Sequence, residues 1–136
     1  DRAIRDKLSS CGVDLVLLAG YMKKLGPMTV ELYKNRVLNS HPSILPRFGG
    51  KGMFGSRVHK AVLDAGMQVT GVTIHMVDNQ YDHGPVVAQC RVPVETNDTI
   101  DLLEERVQAR ERLFWVEVLR MIEKEEIDLT GLGNRR

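Results

Sequence analysis

Hydrophobic positions along the chain fall into two patterns: continuous runs typical of buried strands and spaced stripes typical of helices. The run DLVLLAG at 14–20 predicts a strand covered on both faces. A second strand, RVLNSH at 36–41, follows a short helix, VELYKN, which Thr29 would cap. Because strand, helix and strand succeed one another, the sequence predicts an α/β fold in which these two strands pair in parallel.

Further helices and a long loop surround these strands. The segment 1–10 is predicted to be the end of a helix that stops at Cys11–Gly12, and another helix begins at Ser56 and stops at Gly66. The segment PSILPRFGGKGMFGS at 42–56 carries two prolines and four glycines, so it is predicted to be a loop. A loop of this length inside a compact domain is usually functional or mobile.

The second half of the chain predicts a strand pair and a long final helix. Strands are expected at 69–77 and 85–94, and the turn-rich DNQYDHG between them suits a wide antiparallel hairpin. Asp98 or Thr99 caps the last helix, and the tail TGLGNRR is expected to fray. The apolar stripe of that helix consists of Ile100, Leu103, Val107, Phe114, Val118, Met121 and Ile122.

Composition narrows the class of protein. The chain has 136 residues, 27% of them charged, and a formal net charge of +1, which suits one globular domain without a strong pull toward nucleic acid or anionic membrane. No apolar run reaches the length of a membrane span. The two cysteines, Cys11 and Cys90, form no metal-binding cluster and are expected to be free thiols. Since the chain starts at Asp1 and runs directly into helical sequence, we expect a fragment or a processed product.

Polar side chains follow the second predicted strand at its carboxyl end, where ligands bind in open α/β sheets. Asn39 and His41 are two residues apart in extended backbone, so both side chains point the same way, and Pro42 keeps His41 extended. An amide N–H and an imidazolium N–H aimed at one point would stabilise an oxyanion. Alternatively, the two side chains only satisfy backbone groups of the loop.

Asp82, in the turn YDHGP, is the candidate acid for this site. If it folds back to His41, its carboxylate would raise the pKa of the imidazole, fix the orientation of the ring and relay a proton through water. A turn position also suits Asp without any function. His75 shares a strand face with Thr73, so it is either a core histidine or a residue that lies behind the site and supports it.

Two polar residues of the last helix lie at the edge of its apolar stripe. Gln108 and Glu111 are three residues apart, and a charge at that edge needs either a basic partner or a ligand amine or hydroxyl. His59 and His83 are predicted to be exposed and uninformative.

Four segments carry a resemblance to a known family. VLLAGYMKKL, NSHPSILP, GVTIHMVDNQYDHGPVVAQCRVPV and ERVQARE resemble the phosphoribosylglycinamide formyltransferases, which belong to the folate-dependent formyl-transferring enzymes. The resemblance implies a Rossmann-like, mostly parallel, twisted sheet with flanking helices. It also implies that 1–136 is the C-terminal catalytic and folate-binding part of one domain, whose N-terminal half, with its phosphate loop, is missing.

The resemblance also implies a set of site residues. Asn39, His41 and Asp82 match the catalytic triplet, and Thr73 and His75 are expected to lie behind it and support it. The positions that match the folate pocket are Tyr21, Met22, Lys23, Leu25, Val77, Asp78, Asn79, Gln80 and Tyr81. The positions that match the nucleotide site are Gly20, Pro42, Gln108 and Glu111.

The implied reaction transfers a formyl group from 10-formyltetrahydrofolate, the co-substrate, to the amine of glycinamide ribonucleotide in purine biosynthesis. No metal, nucleic acid or membrane partner is expected, a homodimer is possible, and the location is cytoplasmic. Methionyl-tRNA formyltransferase and formyltetrahydrofolate deformylase share the signature and are the alternative enzymes. A truncated, non-catalytic fragment with an exposed sheet edge is the remaining alternative.

Overall fold

The computed structural model describes residues 1–19, 21, 23–78 and 82–133, and this part of the chain forms five helices and four strands. The helices are α1 (Arg2–Ser10), α2 (Pro27–Leu32), α3 (Ser56–Asp64), α4 (Ile100–Glu123) and α5 (Leu129–Gly133). The strands are β1 (Val16–Leu18), β2 (Val37–His41), β3 (Val69–Met76) and β4 (Val86–Pro93). All four predicted strands are therefore confirmed.

The four strands form one sheet in the order β1-β2-β3-β4. β1 pairs with β2 in parallel, whereas β3 is antiparallel to both β2 and β4. The α/β fold with flanking helices is confirmed, but the described sheet is mixed rather than mostly parallel. The connection from Met76 to Val86 is shorter than the dozen or so residues that a parallel crossover needs, so β3 and β4 form the antiparallel hairpin that the sequence predicts.

Two hydrophobic clusters cover the two faces of the sheet. On one face, Leu38 and Ile74 cluster with Val62 of α3 and with four residues of the predicted α4 stripe: Leu103, Val107, Phe114 and Val118. Met121, also predicted in that stripe, is exposed. On the other face, Val37 packs with Tyr33 of α2 and with Leu25. Because side chains alternate along a strand, Leu38 and Ser40 share the first face, and Asn39 and His41 share the second.

β1 is less buried than the apolar run predicts. Leu17 is 39% exposed, and the strand is only three residues long. β1 stands at the end of the described strand order and pairs there with β2 alone, so its outer edge and one side chain lie open. The expectation of a strand covered on both faces is wrong for the described part of the chain.

Helix caps follow the sequence in one case and differ in another. Thr99 caps α4, because its hydroxyl accepts a hydrogen bond from the backbone N–H of Leu102 at 3.2 Å. Thr29, in contrast, lies inside α2, which begins at Pro27; the carboxylate of Asp1 accepts bonds from its hydroxyl and backbone N–H. Pro27 starts the helix because its fixed φ suits the first turn.

The described part of the C-terminal segment is more ordered than expected, since Leu129–Gly133 forms α5 and Leu132 packs on the larger cluster. The rest of the predicted frayed tail, 134–136, lies outside the described residues. Both cysteines are free thiols, as the sequence predicts. Among the described helices, none is long and apolar enough to cross a membrane.

Candidate active site

β2 ends at the site, and its pairing with β3 places two pairs of polar residues opposite each other there. Asn39 lies opposite His75, and His41 lies opposite Thr73, all four on the face that carries Val37. The alternation of the strand therefore brings the predicted amide and imidazole to one side, as the sequence indicates. Of these side chains, His41, His75 and Thr73 are buried and Asn39 is half-buried.

The imidazole of His41 has a defined partner at each ring nitrogen. Nε2 lies 2.7 Å from the carbonyl oxygen of Phe48, so this nitrogen carries a hydrogen and donates it. Nδ1 lies 3.5 Å from Oδ1 of Asp82. Because Nε2 is committed to a backbone carbonyl, Nδ1 is the ring atom that can exchange a proton with Asp82 or with a ligand.

The turn after β3 carries Asp82 to this ring. Asp82 adopts a left-handed backbone conformation with φ 53°, which Asp tolerates better than most residues. Gly84 follows, and a Cβ there would collide with the carbonyl of Met76, so the close return of the chain requires glycine. Oδ2 of Asp82 accepts a hydrogen bond from the backbone N–H of Gly50 at 2.8 Å, which ties the carboxylate to the glycine-rich loop.

Burial, hydrogen bonds and neighbouring charges determine the protonation states of His41 and Asp82. Burial lowers the pKa of His41 below its ordinary value, although the Asp82 carboxylate and the Phe48 carbonyl act in the opposite direction. For Asp82, burial acts to raise the pKa, but His75, His41 and the Gly50 N–H outweigh it, and the pKa lies below its ordinary value. Near neutral pH, Asp82 is therefore ionised and His41 is neutral. The sequence-based expectation that the pKa of His41 would be raised is wrong.

His75 connects Asn39 to the acid. Its Nδ1 donates to the carbonyl of Met76 at 2.9 Å, so in the neutral ring Nε2 accepts from the amide Nδ2 of Asn39 at 3.3 Å. In the protonated ring Nε2 carries a hydrogen and donates toward Asp82, and this is the interaction that lowers the pKa of that carboxyl group. The same Nε2 lies 3.6 Å from Oδ1 of Asp82. His75 thus contacts two members of the triplet and fixes which end of the Asn39 amide faces it.

Thr73 holds the loop that follows β2. Its hydroxyl donates to the carbonyl of Ser43 at 2.7 Å and accepts from the backbone N–H of Leu45 at 3.0 Å. Gln89 of β4 bonds both this hydroxyl and the carbonyl of Leu45. This network positions the segment that leads to the Phe48 carbonyl, so Thr73 acts on His41 only through the loop.

Two cavities meet at the triplet. The larger has a volume of about 560 Å³, and Asn39, His41 and Asp82 lie along its wall with the loop residues 50–55. Asn39 and Asp82 also line a second, smaller cavity on the side of His75, and Tyr21 stands between the two. A group that entered from either cavity would reach the same amide and carboxylate.

The described positions implied by the resemblance divide between these cavities. Those assigned to the nucleotide line the larger one: Pro42, Gln108 and Glu111. Those assigned to folate line the smaller one: Tyr21, Lys23, Leu25, Val77 and Asp78. Five further predicted positions lie outside the described residues: Gly20, Met22, Asn79, Gln80 and Tyr81.

Glu111 is a half-buried carboxyl group at the wall of the larger cavity. Burial raises its pKa above the ordinary value, and a hydrogen bond with Ser40 acts in the opposite direction. The hydroxyl of Ser40 also accepts from the indole Nε1 of Trp115 at 3.2 Å. The carboxyl group thus faces the cavity beside Gln108, while its neighbours on α4 and β2 hold it in place.

Sequence reasoning missed a buried histidine of the site. His59, predicted to be exposed, is 2% exposed and lines the larger cavity. The signal for burial was present, because Val62 and Leu63 follow it at the helical spacings of three and four. His83, in contrast, is exposed as predicted and pairs with Asp78 at 2.9 Å.

The Phe48 carbonyl was also missed, because a backbone acceptor leaves no trace in the pattern of side chains. As for metals, no group of three or more His, Cys, Asp or Glu with suitable geometry occurs within the described ranges.

Comparisons with known proteins identify relatives of this chain. The model of the family described as "Formyl transferase" matches residues 1–119. A chloroplastic phosphoribosylglycinamide formyltransferase of Arabidopsis thaliana is 48% identical over 122 residues, which cover 90% of this chain and 42% of that protein. The phosphoribosylglycinamide formyltransferase of Bacillus subtilis is 33% identical over 135 residues, or 99% of this chain and 63% of the relative.

A solved structure shows the same fold. The phosphoribosylglycinamide formyltransferase from Streptococcus pneumoniae TIGR4 superposes with a TM-score of 0.80 at 39% identity, over 89% of this chain and 64% of that one. The chain therefore spans about two fifths to two thirds of the length of these three relatives.

Proposed function

Because this chain belongs to the formyl transferase family, we propose that it transfers a formyl group from 10-formyltetrahydrofolate to the amine of glycinamide ribonucleotide. The observation that carries the proposal is the meeting of two cavities at Asn39 and Asp82, with His41 beside them. A transfer between two substrates needs such a meeting point, since the amine and the formyl carbon must approach within contact distance.

The larger cavity suits the nucleotide. A ribose presents hydroxyl groups, and the Gln108 amide and the Glu111 carboxyl group stand on its α4 wall. The smaller cavity has a volume of about 50 Å³, and its described lining includes the apolar residues Leu18, Leu25 and Val77. This lining supports contact with a folate, of whose ring system the cavity would take only a part. In this arrangement the formyl group lies at Asn39, between the two substrates.

The first step forms the bond between the amine nitrogen and the formyl carbon. As the carbonyl electrons move onto oxygen, the amide N–H of Asn39 that does not face His75 stabilises the developing oxyanion. A donor of this kind accelerates a reaction by about 10²–10³-fold. His75 is a positioning residue in this scheme, because its acceptor nitrogen sets the orientation of the Asn39 amide.

The proton of the attacking amine leaves through Asp82 and His41. His41 is neutral before the reaction and has Nε2–H on Phe48, so Nδ1 receives the proton, directly or through the ionised Asp82. The resulting imidazolium carries a hydrogen on Nδ1 and returns it to the folate nitrogen as the bond between that nitrogen and the formyl carbon breaks. His41 therefore acts first as base and then as acid.

Three further assignments remain predictions. A cytoplasmic location is one of them, and the Arabidopsis relative is named chloroplastic. A homodimer is another. The third is the separation from the alternative enzymes, methionyl-tRNA formyltransferase and formyltetrahydrofolate deformylase; the relatives described above all carry the name phosphoribosylglycinamide formyltransferase.

The test compares three acceptors with one donor. The 136-residue chain is incubated with 10-formyltetrahydrofolate labelled with ¹³C in the formyl group, together with glycinamide ribonucleotide, methionyl-tRNA or buffer alone. We expect the label in formylglycinamide ribonucleotide, measured by mass spectrometry. Label found in formylmethionyl-tRNA, label released as formate, or no reaction at all would each reject the proposal.

A further inference from the structure

His59 is a buried polar side chain that the mechanism above does not use. It lies on α3, is 2% exposed, and forms part of the wall of the larger cavity. Its Nδ1 is buried and has no hydrogen-bond partner among the residues that the structure describes. Its neighbours Val58 and Val62 are fully buried, so an apolar side chain would suit this position of the helix.

A buried nitrogen without a partner destabilises a folded protein, because water has been removed and nothing replaces it. Such a group persists when something other than stability requires it. The position of His59 indicates the requirement, since the ring stands at the cavity wall and close enough to His41 for the two rings to influence each other.

The ring of His59 is suited to a neutral ligand group. Burial, followed by the nearby His41, lowers its pKa, so one ring nitrogen carries a hydrogen and the other is an acceptor near neutral pH. Met53, Phe54 and Gly55 of the glycine-rich loop line the same cavity. Gly52 and Gly55 adopt positive φ there, a conformation that glycine takes without strain. Since Nδ1 is buried, the contact proposed below requires the cavity wall to rearrange and expose this nitrogen.

We propose that His59 binds the nucleotide substrate: with that substrate in the larger cavity, Nδ1 of His59 forms a hydrogen bond with a polar group close to the reacting amine. This assignment rests on the proposed function, because it takes the larger cavity as the site of the amine-bearing nucleotide. It adds a contact from α3 to those of Gln108 and Glu111 on α4, so the substrate would be held from two sides.

Three substitutions of His59 distinguish the contributions of its two ring nitrogens to binding. The amide of Asn places a polar atom near the position of Nδ1, the amide of Gln reaches the position of Nε2, and Leu provides neither. Isothermal titration calorimetry with glycinamide ribonucleotide measures binding without turnover. We expect His59→Asn to bind within about 3-fold of the wild type, and His59→Gln and His59→Leu to bind about 10-fold more weakly, as loss of one hydrogen bond predicts.

Thermal denaturation controls for misfolding. Since Leu removes an unpaired buried nitrogen, His59→Leu should melt at or above the temperature of the wild type while it binds more weakly. The ¹⁵N resonance of His59 Nδ1 gives a second readout, and it should shift when wild-type protein is titrated with the nucleotide.

The outcomes distinguish this proposal from the function on which it rests. If wild-type protein binds the nucleotide, but His59→Leu binds equally well or the Nδ1 resonance does not move, His59 is a core residue and the proposed function stands. If wild-type protein does not bind the nucleotide at all, the proposed function fails, and this inference fails with it.

Discussion

Nδ1 of His41 lies 3.5 Å from the Asp82 carboxylate, while Nε2 of the same ring donates to the carbonyl of Phe48. The backbone bond fixes the ring, so only the face toward Asp82 is available for chemistry. A ring held in this way can accept a proton at Nδ1 and return it to a neighbouring atom without rotation. The proposed mechanism depends on these two roles: Nε2 holds the ring in place, and Nδ1 exchanges the proton.

The first prediction concerns Asn39. Asn39→Ala removes the amide that faces the meeting point of the cavities and should lower kcat by about 10²–10³-fold, because an oxyanion donor is lost. Steady-state kinetics measures the loss, and circular dichroism verifies the fold. Asn97→Ala, the same change at an exposed asparagine, serves as the control and should retain full activity. Equal activity of the two variants would remove Asn39 from the mechanism.

The second prediction concerns pH. The pKa of His41 lies below its ordinary value of 6.5, and the mechanism needs the neutral ring, so kcat/KM should fall as the pH drops below 6.5 through that pKa. Asp82→Asn removes the charge that acts to raise this pKa. The acid limb of the profile should therefore move to lower pH, while the plateau rate decreases. Asp14→Asn, at an exposed aspartate, should leave the profile unchanged.

The opposite slope would contradict this role of His41. If kcat/KM rises as the pH drops below 6.5, the reaction needs the protonated ring from the start, and His41 is not the base.

The same shift links pH to stability. Because the pKa of His41 is lower in the folded protein than in the unfolded chain, the unfolded chain binds more protons in the interval between the two values. The stability that the neutral ring contributes is therefore complete above 6.5 and decreases as the pH falls through the folded-state pKa.

The third prediction concerns His75. His75→Gln keeps an acceptor near the position of Nε2 and should hold the Asn39 amide, whereas His75→Asn is too short to reach it. We expect His75→Asn to lower kcat about 10-fold or more, because the donor is misplaced, and to leave KM for both substrates nearly unchanged. His75→Gln should recover most of that loss. If both variants lose only stability and keep kcat, His75 has a structural role alone.

The sequence predicted several features of the secondary structure that local chemistry determines, although it misplaced the start of α2. The Thr99 cap, the stop of α3 before Gly66 and the β3–β4 hairpin each depend on a few neighbouring residues. The exposure of Leu17 could not be predicted in this way, because burial of a strand depends on which elements flank it in the folded sheet.

The parts of the site that consist of side chains on regular strands and turns could be predicted from the sequence. Asn39 and His41 share a face because of the period of the strand, and the turn brings Asp82 to them. The pKa of His41 was misjudged, because the sequence shows the charged neighbour but not the extent of burial, which is the larger effect. The part played by Thr73 was not visible either, since its partners are backbone groups of a distant loop.

The fourth prediction concerns Glu111. Glu111→Gln retains the shape of the side chain but removes the charge at the wall of the larger cavity, so KM for the nucleotide should rise about 10-fold while KM for the folate stays constant. Glu117→Gln on the same helix changes an exposed carboxylate that pairs with Arg110, and it should alter neither constant. If the KM for the folate rises instead, the larger cavity binds the folate and its assignment to the nucleotide is wrong.

The most direct measurement is single-turnover formyl transfer in wild-type protein, His41→Ala and His83→Ala, with excess protein over labelled 10-formyltetrahydrofolate and saturating glycinamide ribonucleotide. His83 is the exposed histidine next to Asp82 and serves as the matched control. The account predicts rapid transfer by the wild type and by His83→Ala, and a rate at least about 10²-fold lower for His41→Ala. Transfer by His41→Ala at the rate of the wild type would contradict it.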